Sequence, residues 1–423
     1  SNKAKAKMKI LNEPIENLKY EDIVSFCKEG YPEGVQIDYK KDFPQKGFAK
    51  HFASFSNTRG GLIIIGIEED KRTGVPVSWE GVIKNAKQIE KIHQEACNVE
   101  PIPSYEIHTT NEVEGKCFVL VRIFEGDKTP YFMQNDSNVW VRTGNVSNPI
   151  DIASPDGLEL LFGKNDKAEK LRNLYISRVK NVHTSGMELE EKKRLRLVEE
   201  ASKKGDGSES NYLQHKVGEN VKMCTMIVQP YFPKKTLAKP SQIKEKIGEL
   251  RSGEFPDYNM KPIPEGVFHT AHGYTGYVEC QQIYSQGLIS HSFDISRVNE
   301  GVVYIPIFAI AGRLFRLLTV ARNFYLKFGY QGSLEGFIEL EDAKGVHFKE
   351  IQSSKYIFRD DVRESLLEKY KWEIKLDTHI LQDEKLLMEW FMNFLEEVYW
   401  DLGFDSFVPD IVLGFLKENG YTS

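Results

Sequence analysis

Seven residues, GLIIIGI at 61–67, constrain this chain more than any other stretch. A short β-branched run bounded by turn signals reads as a strand buried on both faces. Such a strand pushes its polar content to its end, and here Glu68, Glu69 and Asp70 follow at once. In α/β sheets that carboxyl edge is where ligands usually sit. The segment before it, FAKHFASFSN, reads as a helix ended by Asn57 and two glycines. Gly60 and Gly61 permit positive φ and the close approach of a backbone or a phosphate. A helix cap accounts for one of them, whereas two beside Asn57 and Arg59 favour a ligand.

Around this unit the pattern alternates helix and strand. LKYEDIVSFCKE (18–29) has helical spacing, and GYPEG separates it from a short alternating segment, VQIDYK. A helix near 83–97 and strands at SYEIHTT, CFVLVRIF, PYFMQ and NVWVRTG complete a mixed α/β domain, 8–155. Residues 156–210 read as a basic helical linker: two helical stretches interrupted by VHTSG, then a flexible joint, KKGDGSESN. A second α+β domain, 211–423, contains strands at KMCTMIVQPYF and GFIELED and a Gly/Tyr-rich meander from 266 to 296. Its helices are expected at SQIKEKIGELR, near 306–328, at 361–370 and at 383–400. The opening SNKAKAK reads as a tag remnant and is set aside.

The chemistry is concentrated in PEGVQIDYKKD. Alternation sends Gln36, Asp38 and Lys40 to one strand face and Ile37 and Tyr39 to the other. A carboxylate and an ammonium two residues apart form a compact unit for phosphate chemistry: the acid can hold a divalent ion, and the lysine can offset growing negative charge. Exposed strand faces also carry such pairs by chance. Convergence of Glu33, Asp38 and Glu69 would supply hard oxygen ligands for Mg²⁺ or Mn²⁺; otherwise 68–71 is an ordinary polar turn.

EGVQIDYKKDF, FASFSNTRGGLIIIGIEED and NVWVRTGN together resemble the Schlafen core, or Schlafen AlbA-like, domain over roughly residues 18–150. The resemblance implies a mixed sheet with flanking helices. In animal Schlafens it implies cleavage of transfer and ribosomal RNA by three acids and a divalent metal. By position the acids fall on Glu33, Asp38 and Glu69, with Lys40 the adjoining catalytic lysine. Lys41, Asn57, Arg59, Gly60, Gly61 and Arg142 make up the nucleic-acid-binding set. Asp stands at 38 and Glu at 69 where the family more commonly has Glu and Asp, so side-chain reach changes by one methylene in opposite senses. Bacterial members are described as transcription regulators or ATP-binding proteins, but no G-x-x-x-x-G-K-[ST] loop cradles a triphosphate here. A metal-dependent endoribonuclease acting on structured RNA such as transfer RNA and a non-cutting DNA-, RNA- or nucleotide-binding regulator with a C-terminal sensor both remain open.

The second half resembles no family. His269, His272 and Cys280 lie close in sequence, one ligand short of a zinc site. The segment YIPIFAIAGRLFRLLTVARNFYLKF is apolar enough to suggest a membrane span, but Arg313, Arg316 and Arg322 make spanning costly and favour a buried helix. Residues 160–204 hold twelve Lys/Arg against seven Asp/Glu, while 331–423 hold ten against twenty. The basic stretch is a solvated helix face or a phosphate contact, and the aromatic-rich acidic end is core or a homodimer contact. Five scattered cysteines without a CxxC pair argue for reduced thiols and a cytoplasmic protein.

Overall fold

The protein is described from a computed structural model, covering residues 9–134, 136, 138–151, 155–204, 215–218, 221–233, 236–251, 260–272, 276–299, 301–350 and 362–421. The opening SNKAKAK and the joint from residue 205 onward lie outside the described residues. It is a mixed α/β protein whose chain divides into two compact units, the first formed mainly by residues 1–170 and the second mainly by 171–423.

In the first unit the helices are α1 (Tyr20–Lys28), α2 (Phe48–Asn57) and α3 (Ala86–Cys97). The strands are β1 (Ile37–Lys40), β2 (Gly61–Ile65), β3 (Glu68–Glu69), β4 (Pro76–Ser78), β5 (Val99–Glu100), β6 (Tyr105–Thr109), β7 (Val119–Ile123), β8 (Phe132–Met133), β9 (Asn138–Thr143) and β10 (Val146–Asp151). A four-stranded sheet runs β1-β2-β7-β6, with β1 and β2 parallel and the remaining pairs antiparallel.

β2 is apolar throughout because it is covered twice. Ile63 and Ile65 pack with Phe48, Phe52 and Phe55 of α2 on one face. On the other, Leu62 and Ile64 pack with Ile23 and Phe26 of α1. Residues 62–65 are all fully buried, and each side chain contributes about 1.5–3 kcal/mol relative to exposure. α2 shows the matching stripe, with Phe48, His51, Phe52 and Phe55 at helical i, i+3, i+4, i+7 spacing.

In the second unit the strands are β11 (Met223–Pro230), β12 (Lys261–Ile263), β13 (Gly266–His272), β14 (Val278–Tyr284), β15 (Ile289–Asp294), β16 (Arg297–Asn299), β17 (Val302–Pro306), β18 (Ser333–Leu340), β19 (His347–Lys349), β20 (Val362–Glu364) and β21 (Tyr370–Asp377). A seven-stranded sheet runs β12-β13-β14-β15-β11-β18-β21.

Two sequence expectations are corrected in these elements. The helical stretches of 158–204 form a single helix, α4 (Pro155–Lys204), with no break at VHTSG. Gly186 does not end it: a Cβ there would sit 2.5 Å from Thr270 Cγ2 on β13, so the glycine lets the helix approach the sheet. Of the helix expected at 361–370, residue 361 lies outside the described residues, 362–364 form β20, and Tyr370 opens β21, whose YKWEIKLD alternates buried and exposed positions.

Further on lie α5 (Pro240–Glu245), α6 (Ile247–Leu250), α7 (Ile307–Phe328), α8 (Thr378–Gln382), α9 (Glu384–Asp401) and α10 (Pro409–Glu418). α7 buries Phe315, Leu318 and Phe324. Its Arg313 lies 3.6 Å from Glu279 and stacks over Phe293, while Arg316 stacks over Tyr421. α9 likewise turns Phe391, Phe394 and Tyr399 inward, so core packing accounts for these aromatics. Among the described residues no helix is long and apolar enough to cross a membrane.

Candidate functional site

β1 places Asp38 on the α2 face, as alternation requires, but that face is covered and not exposed. Asp38 is 2 % exposed. Its Oδ1 accepts from Arg142 Nη2 at 2.8 Å, and its Oδ2 lies 2.5 Å from Lys40 Nζ. Burial opposes ionisation of this carboxyl, yet the neighbouring His51, Lys40 and Arg142 prevail and hold it below the usual carboxylate range. His51 of α2 stands 3.8 Å from Oδ2; burial presses its pKa down to about 4, so it is neutral at pH 7.

Arg142 is spent on this network. Besides Asp38 it donates to the carbonyl oxygens of Gly34 at 3.2 Å and Ile37 at 3.4 Å, and its guanidinium stacks on Phe55. The β9 arginine therefore ties the β9–β10 hairpin to β1.

Asn57 is equally committed. Its amide nitrogen donates to the carbonyls of Tyr131 (2.7 Å) and Trp140 (2.9 Å), and its oxygen accepts from the Tyr131 N–H at 2.7 Å. Gly60 adopts φ +63° and Gly61 packs against Phe55 and the Gln36 carbonyl. The glycines thus serve the turn between α2 and β2, and Asn57, Gly60, Gly61 and Arg142 build the site without presenting groups to a phosphate.

Glu33 precedes β1 and accepts from the Tyr39 N–H at 2.7 Å through Oε1. Partial burial, then the negative charge of Asp38, push its carboxyl up to about 7, with Glu69 adding to the effect and Lys40 opposing it. The three sequence-predicted acids therefore share one electrostatic neighbourhood. Among the described residues no three acidic, imidazole or thiol groups are already gathered as an ion-binding cluster. Both Asp38 oxygens face cations, Arg142 at Oδ1 and Lys40 at Oδ2.

Lys41 and Arg59 are exposed, Lys41 in a 2.9 Å pair with Glu68 that water screens. Residues 40–59 carry five basic side chains, Lys40, Lys41, Lys46, Lys50 and Arg59, against one acid, Asp42. In the basic α4, Lys164, Arg172, Arg178, Lys180, Lys193, Arg194 and Lys203 are ion-paired, as Lys40 and Lys41 are in this segment. The suggested zinc ligands also fail to converge. β13 pairs Thr270 with Cys280, so His272 shares that face and His269 points to the other. His272 contacts Glu190, and burial raises the Cys280 thiol to about 12.

Glu33 makes the stability of the protein pH-dependent. A carboxyl that titrates near 7 when folded, against an ordinary 4.5, penalises folding only when ionised; the penalty is absent below about pH 4.5 and grows as pH rises to about 7. Glu33→Gln keeps the acceptor for Tyr39 and removes the charge. It is expected to raise Tm at pH 8 and to leave it unchanged at pH 4, which thermal denaturation across this range checks. A gain that is larger at pH 4 than at pH 8 contradicts the assignment.

The first unit is thus a mixed α/β domain in which a buried acid–base strand is locked to a late hairpin through an arginine. Residues 33–151 match the family model described as Schlafen, AlbA_2, so the chain carries a Schlafen AlbA_2 domain. α1 lies before the matched span. No curated protein matches the chain. A domain of this family points to a nucleic-acid-related function.

Proposed function

We propose that the Schlafen AlbA_2 domain grips the phosphate backbone of RNA or DNA along the segment from Lys40 to Arg59. The observation that supports this reading is the charge of that segment, five bases to one acid, beginning at the carboxyl ends of the two parallel strands. Each phosphate neutralised releases counterions, so affinity should fall steeply between about 50 and 200 mM salt. Lys41→Glu combined with Arg59→Glu is expected to weaken binding to any sequence and to lower the slope of log affinity against log salt by about 2. Fluorescence anisotropy with a labelled transfer RNA and a labelled DNA duplex reads both effects. Salt-independent binding, or none at low salt, overturns the proposal.

A second reading, metal-dependent cleavage of structured RNA, is supported by placement: the Glu33 N–H donates to the Gly74 carbonyl at 2.9 Å, in the turn that follows Glu69, beside the Asp38–Lys40 pair. Mg²⁺ or Mn²⁺ would rest on Glu33 and Glu69, since Mg²⁺ accepts one or two carboxylates with water and substrate phosphate. When bound, the ion supplies charge neutralisation and a more acidic water. Lys40, held by Asp38, would stand beside the developing charge. Transfer RNA cleavage that needs Mn²⁺ and disappears in Glu69→Gln decides for this reading; cleavage indifferent to Glu33→Gln and Glu69→Gln removes it.

A further inference from the structure

A polar cavity of about 690 Å³ opens in the first unit, lined among others by Lys41, Phe43, Gln45, Asn85, Gln88 and Lys116. It lies where β1 and β2 end, since Lys41 follows β1 and Gly66 follows β2. It thus opens at the carboxyl ends of the sheet's parallel pair. The floor is backbone: Gly66 (φ +111°) and Gly81 (φ +74°) press so closely that a Cβ on Gly66 would meet Gly81 Cα at 2.7 Å.

The charge of the lining restricts what can enter. Lys41 pairs with Glu68 at 2.9 Å and Lys116 with Glu80 at 3.0 Å. With Asp42 the lining holds three acids against two lysines, so a free polyphosphate finds no net attraction. Beyond these pairs the lining holds the Asp42 carboxylate and neutral amides. Gln45 and Gln88 make no side-chain hydrogen bond among the described residues, and Asn85 uses only its oxygen, capping α3 through the Gln88 N–H at 3.2 Å. An amide offers a donor and an acceptor side by side, the pattern that the edge of a nucleobase complements. Phe43, half-buried against the α2 core, gives an aromatic surface of the kind on which bases stack. The volume lies within the range of small-ligand sites.

We propose that this cavity receives one unpaired nucleobase of a bound strand, its edge met by the amides of Gln45, Asn85 and Gln88. The inference rests on the nucleic-acid reading above and narrows it: the preferred substrate carries an unpaired nucleotide beside the backbone gripped by the segment from Lys40 to Arg59. A base held inside a duplex cannot enter, because its edges are already paired.

The test compares the full chain binding two labelled RNA hairpins, one blunt and one with a four-nucleotide 3′ overhang, by anisotropy. The overhang is expected to bind about tenfold more tightly, the scale of one stacked base. Asn85→Gly combined with Gln88→Ala, both outside the segment from Lys40 to Arg59, is expected to abolish that advantage and leave blunt-hairpin affinity unchanged. Neither position is fully buried, and circular dichroism verifies the fold. Equal affinity of the native chain for both hairpins, or an advantage that survives the double substitution, overturns the inference while leaving backbone binding intact. Failure to bind either hairpin at low salt overturns the proposed function itself.

Discussion

Replacing Arg142 with alanine is expected to lower the stability of the protein by about 3–5 kcal/mol, the cost of leaving a buried charge without its partner. The arginine side chain is 1 % exposed and meets the equally buried Asp38 side chain at 2.8 Å. Its loss strands the Asp38 carboxylate with Lys40 alone and leaves the Gly34 and Ile37 carbonyls without this donor. Urea unfolding should show a lower midpoint with an unchanged slope, because the surface exposed on unfolding stays the same. Replacing Asp38 and Arg142 together by leucine should recover much of the loss, since buried pairs exchanged for apolar residues are often near neutral. A single substitution costing less than about 1 kcal/mol would show that the pair is solvated, as surface bridges are.

This network changes how substitutions in the domain are interpreted. Asp38→Ala removes the counter-charge of a buried arginine, so loss of any activity in that variant reports unfolding as readily as chemistry. Glu33 and Glu69 are the informative positions: neither neutralises a buried cation, and both keep oxygens that can turn outward. Lys40 is intermediate, at once partner to Asp38 and 27 % exposed.

Much of the architecture was legible because burial writes itself into periodicity. β2 reads as an unbroken apolar run since α1 and α2 cover it from both sides, and α2 shows its stripe together with the terminal Asn57. The site was legible only by face. Alternation correctly groups Asp38 with Lys40, but nothing local in IDYK announces that α2 will cover Asp38 or that Arg142, more than a hundred residues later, will reach it. His51 could have been found, since it falls within the phenylalanine stripe of α2. The cavity could not, because Gln45, Asn85 and Gln88 come from two loops and a helix start, brought together only by the sheet. The unbroken α4 escaped for a related reason: Gly186 resembles a stop signal until Thr270 is placed against it.

The glycine pair before β2 carries the other large expected effect. Gly60 adopts φ +63°, a conformation that costs an alanine about 1 kcal/mol or more. A Cβ there would also lie 2.6 Å from the Ile123 carbonyl oxygen and 2.7 Å from the Glu125 nitrogen, both backbone atoms at the end of β7. Backbone cannot step aside as a flexible side chain does, so relief requires moving β7 away from the turn. Together these terms predict that Gly60→Ala destabilises by about 2–4 kcal/mol. Gly144 provides the control: its φ is +60°, yet a Cβ meets nothing within 4 Å, so Gly144→Ala should cost only the conformational part. Urea midpoints of the two variants separate crowding from backbone preference. If both fall equally, crowding at β7 contributes nothing and the positive φ alone sets the cost.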